Sequence, residues 1–255
     1  MRPTVIIPTY NEIENLESLV DAILGLPCIV HMIVVDDHSP DGTGELADQL
    51  ARQHQDVQVV HRSSKLGLGT AYAAGFKVSL AHYADPVITM DADFSHHPEY
   101  IPVLLAKSKE SDLVIGSRYI RGGGVKGWAP RRRLLSWGAN TTARLLLGLQ
   151  AHDCTAGFRC YRRHVLSSIN YGAIRAKGYS YLIEMLYYCQ LAGFRVSEVP
   201  IILTNRRNGQ SKISSDEIRQ AMGTVVHLAV RRQQHLLGLR REQQPDTPTN
   251  THSPR

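Results

Sequence analysis

The sequence predicts an α/β protein built on a mostly parallel central sheet with helices on both faces. Three observations carry that expectation. Short apolar runs alternate with amphipathic stretches of helical spacing through residues 4–116. The apolar runs stop at polar or acidic loops, and open α/β sheets place their ligands at such strand ends. The 255 residues are 43% hydrophobic and 20% charged, an ordinary composition for one globular α/β domain of this length.

The elements follow in order. Residues 4–8 read as a first strand, and Pro8-Thr9-Tyr10-Asn11-Glu12 as a turn in which Asn11 caps a helix over 14–24. A second strand, 32–35, ends in Asp36-Asp37-His38-Ser39-Pro40-Asp41-Gly42-Thr43. A helix over 44–53 and a strand over 57–61 come next. Lys65-Leu66-Gly67-Leu68-Gly69-Thr70 then opens a helix over 71–82. This loop matches neither the P-loop nor the G-x-G-x-x-G pattern, so its glycines serve helix–sheet packing or phosphate contact equally well. The strand 87–90 stops at Asp91-Ala92-Asp93. A helix over 98–109 and a strand over 113–116, running into Arg118, complete the alternation.

Two carboxylates one residue apart can share a divalent cation, because Mg²⁺ takes one or two carboxylates plus substrate phosphates. Taken alone, Asp-x-Asp is more often an acidic turn that caps a helix. Its position at the same sheet edge as Pro8–Glu12 and Asp36–Asp41 favours a metal.

The second half reads differently. Residues 1–100 hold 5 Lys/Arg against 14 Asp/Glu, a balance of −9; residues 101–255 hold 24 against 9, a balance of +15. An acidic half suits a cation, and a basic half suits an anionic partner such as a phosphorylated substrate or a membrane surface. Nucleic acid also fits the charge, but no nucleic-acid motif is present. After Arg118, Arg121 leads into Gly122-Gly123-Gly124, a mobile loop or a plain linker. Arg131-Arg132-Arg133 enters a helix through Leu147 that carries Trp137. Asp153-Cys154-Thr155-Ala156-Gly157-Phe158-Arg159 is the next marked segment. A helix over 179–192 carries Glu184, and a strand over 194–199 follows. Arg206-Arg207-Asn208-Gly209-Gln210-Ser211-Lys212 places three cations within seven residues. The helix over 215–232 has Ile218, Met222, Val225, Val226 and Ala229 on one side and ends in two arginines. With the 131–147 helix it is a candidate interfacial helix. From Gln243 onward the Pro-, Thr- and Gln-rich composition predicts disorder. The expected division is a catalytic domain over 1–215, an amphipathic basic helix over 216–242 and a tail over 243–255.

Several classes are disfavoured. No apolar run reaches the eighteen or so residues that span a bilayer. The first residues run into a strand without a signal-peptide pattern, which predicts a cytoplasmic protein or one attached to the cytosolic face of a membrane. Cys28, Cys154, Cys160 and Cys189 form no C-x-x-C pair and are expected to be reduced thiols. The twelve histidines lack ligand spacing.

Four segments in fixed order carry a resemblance: Val5–Glu12, Val34–Thr43, Gly67–Tyr72 and Met90–Pro98, the last reading Met-Asp-Ala-Asp-Phe-Ser-His-His-Pro. Together with Asp153–Arg159 and Arg206–Lys212, they resemble the inverting family 2 glycosyltransferases of the GT-A (Rossmann-like) fold. Within these, the dolichyl- or polyprenyl-phosphate mannose synthases are most similar. The resemblance covers roughly residues 3–215. It implies that Pro8, Tyr10 and Glu12 hold the guanine nucleoside and that Val35 and Asp37 make further contacts to the nucleotide. It implies that Asp91 and Asp93 bind Mg²⁺ or Mn²⁺, with Ala92 against the nucleotide. Arg118, Arg206 and Lys212 are implied at the donor diphosphate or acceptor phosphate, making Asp93, Arg118, Arg206 and Lys212 the catalytic set. Asp153 and Arg131 are implied near the sugar and acceptor. Ser95 stands where some relatives carry Gln as an extra metal-side ligand. His38 stands where Gly or Asn is frequent. The implied activity is transfer of mannose from GDP-mannose to a polyprenyl or dolichyl phosphate. A UDP-sugar donor on the same fold and a non-catalytic nucleotide-sugar-binding adaptor are the competing readings. Relatives often carry carboxyl-terminal membrane spans, which these residues lack. The resemblance therefore implies peripheral membrane binding or a separate membrane-anchoring protein.

Overall fold

The first strand, β1 (Thr4–Thr9), lies at the middle of the sheet, flanked by β2 (His31–Asp36) and β4 (Val87–Thr89), both parallel to it. The structure is a computed structural model and describes residues 2–82, 84–174, 176, 178–205 and 215–236. Among these, β3 (Val57–His61), β5 (Leu113–Ser117), β7 (Arg159–Tyr161) and β8 (Val196–Pro200) complete a seven-stranded sheet of order β3-β2-β1-β4-β7-β5-β8. Only β7 runs antiparallel, between β4 and β5. A parallel pair, β6 (Gly124–Val125) with β9 (Ile202–Leu203), lies apart.

The chain moves outward from β1 to β2 to β3, then returns to β4 on the other side of β1. That reversal makes a crevice at the carboxyl ends of β1 and β4, the place where open α/β sheets bind ligands. Pro8 fits there despite lacking an N–H. The β1–β4 ladder ends at Ile6 opposite Thr89, with only the Met90 amide reaching Ile6 O beyond it.

The side-chain period of two sorts each strand onto two layers. Val5 and Ile7 of β1, with Met32 and Val34 of β2, face Leu16, Leu19, Val20 and Ile23 of α1 (Ile13–Leu24) and Ala47 and Leu50 of α2 (Thr43–Gln53). Ile6, Ile33 and Val35 face Tyr72 and Phe76 of α3 (Leu68–Ala81). Each large apolar side chain buried this way contributes about 1.5–3 kcal/mol. Gly75 lets α3 cross β1 closely, since a Cβ there would lie 2.5 Å from Ile6 Cγ2. Gly69 makes room for the ring of Tyr181, so the packing role of the glycine loop is realised at that position.

The remaining helices are α4 (Ile101–Lys107), entered through a 3₁₀ turn Pro98–Tyr100, then α5 (Pro130–Leu147), α6 (Arg163–Ser168), α7 (Tyr179–Leu191) and α8 (Ser215–Leu236). The expected single helix over 98–109 is thus shorter and starts with a tighter turn. Asn11 is not the cap of α1. Glu12 takes that place without a side-chain cap, and the orphan amides are met from the next loop: Ile13 N–H donates to Asp41 Oδ2 (3.2 Å) and Glu12 N–H to Thr43 Oγ1 (3.0 Å).

Helix α8 packs on α7 and α5, burying Val225 and Leu228. Arg231 donates to Tyr188 Oη at 3.2 Å, and Arg232 reaches the Leu146 carbonyl at 3.4 Å. The opposite sides carry exposed apolar residues: Leu134, Leu135, Trp137, Leu145 and Leu146 on α5, and Met222, Val226 and Val230 on α8. Leu135 is 72% exposed. No helix among the described residues is long and apolar enough to cross a membrane. The expected tail over 243–255 lies outside the described residues. Cys154, Cys160 and Cys189 are buried and free, and burial pushes each thiol up to about 12.

Candidate active site

Three loops at strand carboxyl ends build the acidic side of the crevice, and each turns on one non-glycine residue in the left-handed region. Asn11 (φ 56°) follows β1, His38 (φ 58°) follows β2 and Phe94 (φ 59°) follows β4. Gly, and after it Asn and Asp, visit that region most readily. Strain of this kind concentrates at functional sites.

Asp36 and Asp37 divide two tasks. Asp36 accepts from Thr9 Oγ1 (3.0 Å), Ser39 Oγ (2.5 Å) and the Ser39 amide (3.0 Å), tying the β1 and β2 loops together. Asp37 accepts from Arg62 Nη1 (2.6 Å) and the Gly67 amide (3.2 Å). Arg62 continues to Thr70 Oγ1 (2.5 Å), so this carboxylate anchors the glycine loop. Burial pushes the Asp37 carboxyl above its usual range, and the Arg62 guanidinium and the Gly67 amide pull against that rise. Tyr10 is half-buried, with Lys65 Nζ 4.1 Å above its ring. Glu12 is buried and accepts from Asn15 Nδ2 at 2.9 Å. Val35 is wholly buried in the layer that faces α3, so its side chain presents no surface to the crevice.

The loop after β4 holds the two expected metal ligands. The Asp91 side chain is 28% exposed and faces Tyr72 Oη across 3.5 Å. Asp93 is buried and accepts the Ser95 amide at 3.0 Å, and Ala92 is buried beside it. Thr204 fixes this loop from the other half, donating its hydroxyl to Phe94 O (3.1 Å) and its amide to Ser95 O (3.2 Å). Arg206 follows Thr204 by two residues in sequence; Arg206 and Lys212 themselves lie outside the described residues. The donor set fits Mg²⁺ or Mn²⁺, which take hard oxygens and leave positions for phosphate and water. It does not fit a closed structural zinc site, since no group of three or more His, Cys, Asp or Glu side chains gathers among the described residues.

The basic side is anchored by a buried pair. Arg118 donates from Nε and Nη2 to the two oxygens of Asp153 (2.7 and 2.6 Å), from its backbone amide to Asp153 Oδ2 (3.0 Å), and to Thr155 Oγ1 (2.8 Å). The side chains are 9% and 0% exposed. Burial alone would raise the Asp153 carboxyl, but Arg118 beside it outweighs that and holds it below the usual carboxylate range. Asp153 therefore has no surface to give a sugar hydroxyl in this structure. The structure places Asp153, expected near the sugar and acceptor, where it holds the Arg118 guanidinium. Arg159 of the same segment is also buried, donating to the carbonyls of Ala156, Cys154 and Leu182 at 2.8 Å each. These bonds hold the 153–159 loop against α7 and place Gly157 beneath Asp91, where a Cβ would lie 3.4 Å from Asp91 Oδ1. At the rim, Trp128 stacks with two guanidinium groups, Arg132 at 4.1 Å and Arg118 at 5.8 Å. Arg131, the expected acceptor residue, is exposed at the start of α5, and its neighbour Arg132 is the one held over the ring.

The family model for glycosyl transferase family 2 matches residues 4–169. The chain belongs to glycosyl transferase family 2. It is 49% identical over 237 residues to the polyprenol monophosphomannose synthase of Mycolicibacterium smegmatis, covering 91% of this chain and 89% of that one. It is 43% identical over 226 residues to the undecaprenyl-phosphate mannosyltransferase of Micrococcus luteus, covering 89% and 93%. Among solved structures, glucosyl-3-phosphoglycerate synthase of Mycobacterium tuberculosis, in complex with Mn²⁺, UDP and glucosyl-3-phosphoglycerate, superposes with a TM-score of 0.65. Identity there is 23%, over 90% of this chain and 80% of that one. The fold of this family 2 glycosyltransferase is GT-A, as the sequence led us to expect.

Four residues of the candidate site escaped the sequence reading: Tyr72, Arg62, His96 and Arg132. Arg62 directly follows β3, so the strand-end signal that marked the other loops also marks it. His96 lies within the Asp91–Pro98 segment and differs from a scattered histidine only by its proximity to Asp91. Tyr72 and Arg132 carried no separable signal.

Proposed function

We propose that this glycosyltransferase moves mannose from GDP-mannose to a polyprenyl phosphate of the dolichyl type, giving a β-linked polyprenyl mannosyl phosphate. The observation that carries the reading is the Asp91–Asp93 loop at the β1/β4 crevice, beside Pro8–Glu12 and across from the Arg118 anchor. Its support includes the names of the two relatives with over 40% identity.

Pro8, Tyr10, Glu12, the Val35 strand end and Asp37 line the nucleoside side of the crevice. Asp91 and Asp93, with Ala92 between them, would hold Mg²⁺ or Mn²⁺, which when bound supplies charge neutralisation to the donor diphosphate. Arg118, fixed by Asp153, and Arg206 and Lys212 of the 206–212 segment share the charge on diphosphate and acceptor. The acceptor phosphate is already largely ionised near neutral pH, with a second pKa of about 6, so no strong general base is needed. Its oxygen forms a bond to the sugar C1 as the C1–O bond to GDP breaks, inverting that carbon.

The acceptor's chain implies a membrane. The exposed leucines and Trp137 of α5, the Met222–Val226–Val230 stripe of α8 and the arginines 131–133 suit a cytosolic membrane face. A separate membrane-anchoring protein is the other route to the same surface.

Replacing Asp93 with Asn tests the reading, with GDP-mannose-dependent labelling of polyprenyl phosphate as the measurement. Transfer should fall about 10²–10³-fold. Undiminished transfer with undiminished metal dependence would remove the metal role. Competition by GDP but not UDP separates the mannosyl reading from a UDP-sugar donor. Tight GDP-mannose binding without turnover would favour the adaptor.

A further inference from the structure

We infer that His96 is a positioning residue for Asp91: its buried imidazole accepts the Asp91 amide and fixes the direction of the carboxylate that meets the cation. The inference rests on the reading of Asp91 as a cation ligand and adds a residue to it.

Three observations converge on this ring. His96 is 4% exposed, although it lies in a loop at the mouth of a crevice. Its ring stacks on Phe158 of the 153–159 segment, with centroids 5.2 Å apart and planes 26° apart. Its Nδ1 faces the Asp91 amide at 3.4 Å, a long hydrogen bond. The same Nδ1 lies 3.6 Å from Asp91 Oδ2, beyond hydrogen-bonding reach. The amide can only donate, so Nδ1 is the acceptor and the ring proton is assigned to Nε2. The ring also comes within 3.7 Å of the place a Gly157 Cβ would occupy. His96 thereby connects the loop that carries Asp91 to the segment that carries Asp153 and Arg159. The imidazole bonds the Asp91 backbone itself, whereas the Asp93 carboxylate accepts the Ser95 amide. Outer partners of this kind orient metal ligands, and removing one typically costs 10–100-fold in metal affinity.

The test compares three substitutions in the full chain. Asn at position 96 can place a side-chain oxygen close to where Nδ1 lies. Gln places its polar atoms further out, near Nε2, and Leu offers none. Mn²⁺ binding in the presence of GDP is read directly from the electron paramagnetic resonance signal of free Mn²⁺, without turnover. His96→Gln and His96→Leu should weaken Mn²⁺ binding about 10-fold, and His96→Asn should stay within about 3-fold of the parent, a partial rescue for an acceptor restored without the ring stack. Pulsed resonance on bound Mn²⁺ should find no directly coordinated imidazole nitrogen. Thermal melts of each variant confirm that it is folded before it is titrated. Unchanged binding in all three variants overturns the inference. Equal loss in all three also overturns it, because the ring would then act only by packing. A coordinated nitrogen would make His96 a ligand and overturn it as well. Asp91→Asn is measured alongside: if that variant binds Mn²⁺ normally, the cation reading of Asp91 fails, a result distinct from failure at position 96.

Discussion

The acidic and basic sides of the crevice treat their charges in the same way, although their net charges are opposite. On the acidic side, Asp36 is spent on Thr9 and Ser39 and Asp37 on Arg62 and Gly67. On the basic side, Arg118 is held by Asp153 and Arg159 by three carbonyls. Each side keeps other groups at the surface: Asp91 on one, and Arg131, Arg132 and Arg133 on the other, which make no ion pair among the described residues. The difference lies in how the spent charges work. The acidic side uses carboxylates to gather amides and hydroxyls of neighbouring loops. The basic side uses guanidinium groups buried deep enough to act as internal pins. A charge count over either half therefore overstates what is available to a ligand.

Breaking the deepest pin should have the largest effect. Asp153→Asn leaves Arg118 buried without a counter-charge and should cost about 3–5 kcal/mol, read from denaturant midpoints. The same variant has a pH signature. A carboxyl held below its usual range adds stability above the unfolded value near 3.9, and that stability is lost as pH falls through the lower folded value. The parent should thus weaken on acidification below about pH 4, and the Asn variant should lack this component.

Arg62→Leu breaks the acidic-side pin and should cost less, about 1–3 kcal/mol. Asp37 is already pushed toward its neutral form and can take up a proton when its partner is lost. GDP binding, measured by calorimetry, should weaken in the same variant because the glycine loop loses its anchor. Retained GDP affinity would separate Asp37 and Arg62 from the nucleoside side.

Gly157→Ala probes where the two sides meet. The new methyl would crowd Tyr72 Oη at 3.3 Å and Asp91 Oδ1 at 3.4 Å. Stability should fall by about 1 kcal/mol and metal-dependent transfer by about 10-fold. A loss confined to stability would show that Asp91 moves freely.

Glu184→Gln should have the smallest effect. Burial raises the Glu184 carboxyl, so its ionisation opposes folding as pH rises from about 4.3 through the higher folded value. The variant should gain slightly at neutral pH, with the gain vanishing below about pH 4.

The alternation of strands and helices was legible in residues 4–116 because each buried strand is a short apolar run. The loops at their ends were legible for the same reason. Strand β7 was not, because three residues centred on Cys160 carry no period, and its Arg159 looks like a ligand-binding cation until its carbonyl partners are known. The Arg118–Asp153 pair was equally hidden: the residues are 35 positions apart, and each alone suggested direct substrate contact. Hydrogen bonds to backbone carbonyls leave no mark on residue identity. Arg62 was the one omission that the strand-end rule already covered.

The three left-handed residues around the crevice set a limit on sequence drift. Asn11, His38 and Phe94 each hold a backbone angle that costs an ordinary L-residue about 1–2 kcal/mol. Val, Ile and Thr fit such angles worst, because they branch at Cβ. A library randomised at these three codons and sorted for folded protein should come back enriched in Gly, Asn and Asp. His38 and Phe94 would then be minority solutions, retained only where the side chain itself is under selection.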